Sequence, residues 1–157
     1  MADAGQRHRL LAILAADAAA YSRLMARDEH LALGALESAG EVFRHETEAE
    51  HGRVVDTAGD SVLAVFETAA GAVDCATAVQ RRLRANRATS DQATLSFRIA
   101  VHLGDVIEKA DGTVYGNGVN VTIEHLRRNW NWRHPDYQRL AEAGFYPGLR
   151  KAGLPER

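Results

Sequence analysis

The apolar run LLAILAAD, which ends at Asp17, constrains the fold of this chain more than any other segment. A continuous apolar stretch with no polar side is the pattern of a strand covered on both faces, with a short helix left open by length alone. Such a strand needs a sheet to sit in and further elements packed over it. Asp17 then breaks the run and sets a carboxylate at the strand's end. The run is far shorter than the ~20 apolar residues of a membrane-spanning helix, and no charged-then-apolar export signal precedes it. The expectation is a cytoplasmic protein with no membrane association.

Other segments supply the covering. Residues 29 to about 50 carry Leu33, Leu36, Ala39 and Phe43 at helical spacing, and His51-Gly52 provides the stop. Arg53 to Asp56 and Ser61 to Phe66 are β-rich on either side of Thr57-Ala58-Gly59, which reads as a hairpin with Asp60 at or just past its turn. Ala69, Ala72, Val73, Ala76, Val79 and Leu83 line one face of a second helix that fades between Arg84 and Gln92. Leu95, Phe97, Ile99, Val101 and Leu103 alternate strictly, the period of a half-buried strand, which places His102 on the opposite sheet face. The order strand, helix, strand, strand, helix, strand predicts an α+β, ferredoxin-like βαββαβ antiparallel sheet with helices on one face. Its first and second strands are expected together at the centre, with Asp17 and Asp60 side by side at one sheet end.

With 157 residues and 46% hydrophobic content, the chain can bury one ordinary core. A net charge of -2 offers no broad basic surface for a phosphate backbone, so nucleic acid is not an expected partner. The lone cysteine, Cys75, falls on the buried side of the second helix and reads as a core thiol. None of the seven histidines has the spacing of a zinc site. GTVYGNG lacks the Lys-Ser/Thr ending of a P-loop, and no nucleophile elbow is present, which removes P-loop NTPases and serine hydrolases.

Three segments, ILAADAAAYSRLM, HGRVVDTAGDSVLAVF and FRIAVHLGDVIEKADGTVYGNGVNV, closely resemble the catalytic domain of class III adenylate/guanylate cyclases of the bacterial soluble subgroup, over roughly residues 7 to 121. The resemblance implies conversion of a nucleoside triphosphate, ATP or possibly GTP, to a 3′,5′-cyclic monophosphate and pyrophosphate. It implies two Mg²⁺ or Mn²⁺ ions per site, and sites formed across a head-to-tail homodimer or a heterodimer with a related cyclase domain. By that resemblance Asp17 and Asp60 are the metal ligands, Ala18 to Tyr21 cradle the triphosphate through amide groups, and Asn120 stabilises the reacting phosphate. For Ala18 and Tyr21 the resemblance implies substrate contact, while Tyr21 on its own residue type reads as packing.

The match departs from the family at three positions. The usual base-reading Lys is replaced by Asp56, which can only accept hydrogen bonds, from the adenine amino group or from guanine N1 and N2. The second base-reading position is Thr113, and the usual transition-state Arg, four residues after Asn120, is Glu124. A carboxylate there repels the triphosphate, and loss of such a cation costs orders of magnitude in rate. Arg127 and Arg128 follow within a turn if residues 119 to 129 are helical. The expected organisation is therefore a partial cyclase domain, 1–121, and a divergent helical tail, 122–157, with helices at Thr122 to Asn129 and Pro135 to Ala143 and packing aromatics Trp130, Trp132 and Tyr137. That tail resembles the end of proteins joining a cyclase domain to tetratricopeptide-type repeats. Two functions stay open: a cyclic-nucleotide signalling enzyme, or an impaired homologue acting as a nucleotide- and metal-binding or dimerising regulatory module.

Overall fold

A computed structural model describes residues 6–89 and 93–128. The run ending at Asp17 forms β1 (Gln6–Ala19), followed by α1 (Tyr21–Arg27), α2 (Glu29–Ala49), β2 (Arg53–Ala58), β3 (Ser61–Phe66), α3 (Ala69–Thr89), β4 (Ser96–Lys109), β5 (Val114–Tyr115) and α4 (Asn117–Arg128). The sheet order is β2-β3-β1-β4-β5, antiparallel at every pairing. The ferredoxin-like α+β expectation holds, with one correction: β1 lies between β3 and β4, and β2 is an edge strand. The crossover from β1 to β2 runs parallel, so it skips one position, and the hairpin partner β3 fills the gap.

The apolar run is buried on both sides, as its composition requires. Ala12, Leu14, Ala16 and Ala18 face a core built with Phe43, Cys75, Val79 and Phe97, under α2 and α3. Leu11 and Ile13 face the opposite side and meet Val65, Val106, Val114 and Val119, the last from α4. Phe43 and Phe97 stack edge to face at 4.9 Å between ring centroids. Cys75 is fully buried beside the Thr47 hydroxyl, and burial pushes its thiol pKa up.

Several details differ from the periodic reading. In α2 the buried set is Ala32, Ala35, Ala39, Val42, Phe43 and Thr47, while Leu33 is exposed. The helix stops at His51, which carries the positive φ of 56°, and Gly52 is required because a Cβ there would strike the Phe66 ring. In α3, Val73 is exposed. The hairpin turn is Gly59-Asp60, with Gly59 at φ 58°. β4 does not stop at Gly104-Asp105 but pairs with β1 in unbroken register from Ala19↔Ser96 to Gln6↔Lys109. Helix α4 begins at Asn117, before the expected start at Thr122, and packs on the face opposite α2 and α3. The Pro135 to Ala143 helix and Trp130, Trp132 and Tyr137 lie outside the described residues.

Candidate functional site

Asp17 stands near the C-terminal end of β1, in register with Ser61 of β3 and Arg98 of β4. The adjacent Ala18 amide donates to the Asp60 carbonyl at 3.0 Å. Two acids 43 positions apart in sequence thus lie at one sheet end, because β1 pairs with β3 and Asp60 sits in the turn just before β3. The Ala18 amide is thereby spent within the sheet, so the expected triphosphate cradle does not extend to it. The chain then turns at Ala20, a non-glycine residue with φ 63°, into α1, where Tyr21 packs against the core.

Alternation puts Asp17 on the same sheet face as Leu11 and Ile13, away from α2 and α3. There Arg98 grips it: Nε donates to Oδ1 at 2.9 Å and Nη2 donates to Oδ2. The two side chains are 27% and 23% exposed, so this bidentate pair is screened less than a surface bridge. No pattern in the sequence announced Arg98; only the β1–β4 register reveals it. Among the described residues no group of three or more His, Cys, Asp or Glu side chains is placed to hold a metal ion.

Asp56 lies on β2, exposed, and pairs with Leu63. A bulge between Val54 and Asp56 changes the phase of the strand, so Asp56 shares with Asp17 the sheet face on which α4 packs, the open face that α2 and α3 leave free. Thr113 sits in the turn joining β4 to β5, beyond the end of β4 remote from Arg98. Its carbonyl accepts from the Lys109 amide at 2.9 Å, and its own amide donates to Asp111 Oδ1 at 2.9 Å. Hydrogen bonds from Thr113, side chain first, hold Asp111 below the ordinary carboxylate range. Arg53, three residues before Asp56, donates to the Gly112 carbonyl at 2.7 Å and to Glu108. The Arg9 hydrogen bond, opposed by desolvation and reinforced by the Arg53 charge, keeps Glu108 below its usual range. Asn120 is exposed on α4, and Glu124, also exposed, follows one turn later. The structure therefore gathers Asp17 and Asp60 at one place, links the neighbourhoods of Asp56 and Thr113 at another, and sets Asn120 on the helix beyond.

No protein-family model matches the chain. A protein of Rhizobium meliloti (strain 1021) described as "Putative adenylate cyclase 3" is 43% identical over 125 residues, 77% of this chain and 21% of that protein. The crystal structure of an adenylate/guanylate cyclase/hydrolase from Silicibacter pomeroyi is 36% identical, covers 76% of this chain and 70% of its own, and superposes with a TM-score of 0.66. The chain belongs to the class III adenylate/guanylate cyclase family. A bacterial light-regulated adenylyl cyclase shares the fold, with a TM-score of 0.74 at 19% identity over 81% of this chain and 42% of that one. This cyclase homologue spans about a fifth of the curated relative from Rhizobium. No helix among its described residues is long and apolar enough to cross a membrane.

Proposed function

We propose that this domain converts ATP to 3′,5′-cyclic AMP and pyrophosphate, at a site completed by a second copy or by a related cyclase domain. The observation that carries this reading is the placement of Asp17, on β1, beside the β2–β3 turn that holds Asp60, joined by the bond from the Ala18 amide to the Asp60 carbonyl. Asp17 and Asp60 would hold the Mg²⁺ or Mn²⁺ ions. Bound there, two such ions lower the pKa of the ribose 3′-hydroxyl and neutralise charge on the triphosphate. Arg98 orients the Asp17 carboxylate from within the sheet. Asp56 accepts a hydrogen bond from the base, and Thr113 presents the second polar contact. Thr113 follows the end of β4 remote from Asp17, and the family resemblance supports a head-to-tail partner as the arrangement that would set Thr113 and Asn120 against another chain's metal acids.

A second reading rests on Glu124. Asn120 and Glu124 are four residues apart within α4 and so lie on one helix face, which puts a carboxylate beside the position expected to meet developing phosphate charge. The chain would then be a nucleotide- and metal-binding regulatory partner with little or no turnover. Incubation with Mn-ATP and Mn-GTP, read by mass spectrometry, separates the two. Cyclic product supports the enzyme; metal-dependent nucleotide binding without product supports the regulatory module, and Glu124→Arg is then expected to restore turnover. Neither binding nor product would sink both readings.

A further inference from the structure

We infer that Arg53 is a positioning residue for base recognition, crossing the open face of the sheet to fix the Thr113 turn relative to Asp56. The inference rests on the cyclase reading and adds to it a residue that governs base preference. Asp56 belongs to the outermost strand on one side of the sheet, and Thr113 precedes the outermost strand on the other. Three strands separate them, so no hydrogen-bond ladder couples the two positions directly. Arg53, on the same strand as Asp56, reaches across: Nη1 donates to the Gly112 carbonyl, next to Thr113, at 2.7 Å, and Nη2 donates to Glu108 Oε1. Arg9 holds the other oxygen of Glu108 at 2.9 Å, so the acceptor that anchors Arg53 is itself fixed to β1.

The β2 bulge is what makes this reach possible. In a regular strand, residues three apart face opposite sides, and an Arg53 facing Glu108 would turn Asp56 toward the helices. The bulge between Val54 and Asp56 restores the phase: Arg53 pairs with Val65 and Asp56 with Leu63, both on the open face. At the other end, Gly112 has φ 83°, a conformation that favours glycine, and its carbonyl is the one that accepts from Arg53. Asp111 and Lys109 hold Thr113 within the turn, and Arg53 holds the turn against the sheet.

The test is the binding of non-hydrolysable ATP and GTP analogues and of inorganic triphosphate, each with Mn²⁺, to the wild type and to Arg53→Gln and Arg53→Lys. Arg53→Gln is expected to weaken the preferred nucleotide by about tenfold or more, the scale of a lost charge-assisted hydrogen bond. The ATP/GTP ratio should move toward one while inorganic triphosphate binds as before. Arg53→Lys, which keeps the charge but loses the fork, should retain part of the preference. An unchanged ratio, a wild type with no base preference, or a parallel loss of nucleotides and triphosphate would overturn the positioning role while leaving the cyclase reading standing. A wild type that binds none of the three overturns both together.

Discussion

Gly118 packs α4 tightly on the sheet, and Gly118→Ala tests whether that contact sets the helix's position. A Cβ at residue 118 would lie 2.9 Å from the Asp105 carbonyl oxygen, 2.9 Å from Ile13 Cδ1 and 3.2 Å from the Gly104 carbonyl carbon. Two of these are backbone atoms of β4, which the continuous pairing with β1 holds in place. Ile13 can move only within a fully buried site. Alanine in a helix gains up to about 1 kcal/mol over glycine, and less in a first turn such as this one. Overpacking of this kind costs roughly 1–3 kcal/mol, so the clash wins and the net loss is about 1–2 kcal/mol. Gly34 supplies the opposite case, since it lies within α2 and a Cβ there meets nothing within 4 Å. Gly34→Ala should therefore stabilise by roughly 0.5–1 kcal/mol. Urea unfolding followed by circular dichroism measures both signs, and amide exchange along α4 shows whether the lost stability lies there. A Gly118→Ala variant as stable as the wild type would refute the close-packing argument.

Three further outcomes follow from named contacts. The Asp17–Arg98 pair should show a coupling of about 1–2 kcal/mol in a double-mutant cycle of Asp17→Asn and Arg98→Gln in metal-free urea unfolding; a coupling near zero would mean the pair is as weak as a surface bridge. Glu108 has a depressed folded pKa, so its contribution is present above its unfolded pKa and is lost as pH falls through the folded value; Glu108→Gln should flatten the acid side of the stability profile. Phe43→Ala removes a fully buried ring stacked on Phe97 and should cost about 3–5 kcal/mol by the same unfolding assay.

What was legible in the sequence was what strong patterns encode. The run before Asp17 read as a two-sided strand, and the alternation from Leu95 correctly put His102 on the far face, where its ring meets His125 of α4. The expectation of adjoining first and second strands set Asp17 beside Asp60; they lie at one sheet end instead because β1 pairs with β3, which begins just after Asp60. Contacts set by register rather than by local pattern were not legible. Arg98 finds Asp17 only because β1 and β4 align residue for residue, and the β2 bulge that turns Asp56 onto the open face leaves no mark in RVVDTAGD. Gly104 lies within β4, and its missing side chain admits Gly118, since a Cβ on Gly104 would lie 2.9 Å from the Gly118 Cα. Leu33 and Val73 satisfied helical spacing yet lie outside the narrower stripes that α2 and α3 bury.

The claim that Asp17 and Asp60 hold metal beside a nucleotide is tested most directly by titrating Mn²⁺ with a non-hydrolysable ATP analogue present, read by electron paramagnetic resonance of free Mn²⁺. The wild type should bind with the nucleotide, Asp17→Asn and Asp60→Asn should each lose about tenfold or more in affinity, and Asp74→Asn, an exposed acid on α3, should match the wild type. Equal Mn²⁺ affinity in all four proteins would contradict the assignment.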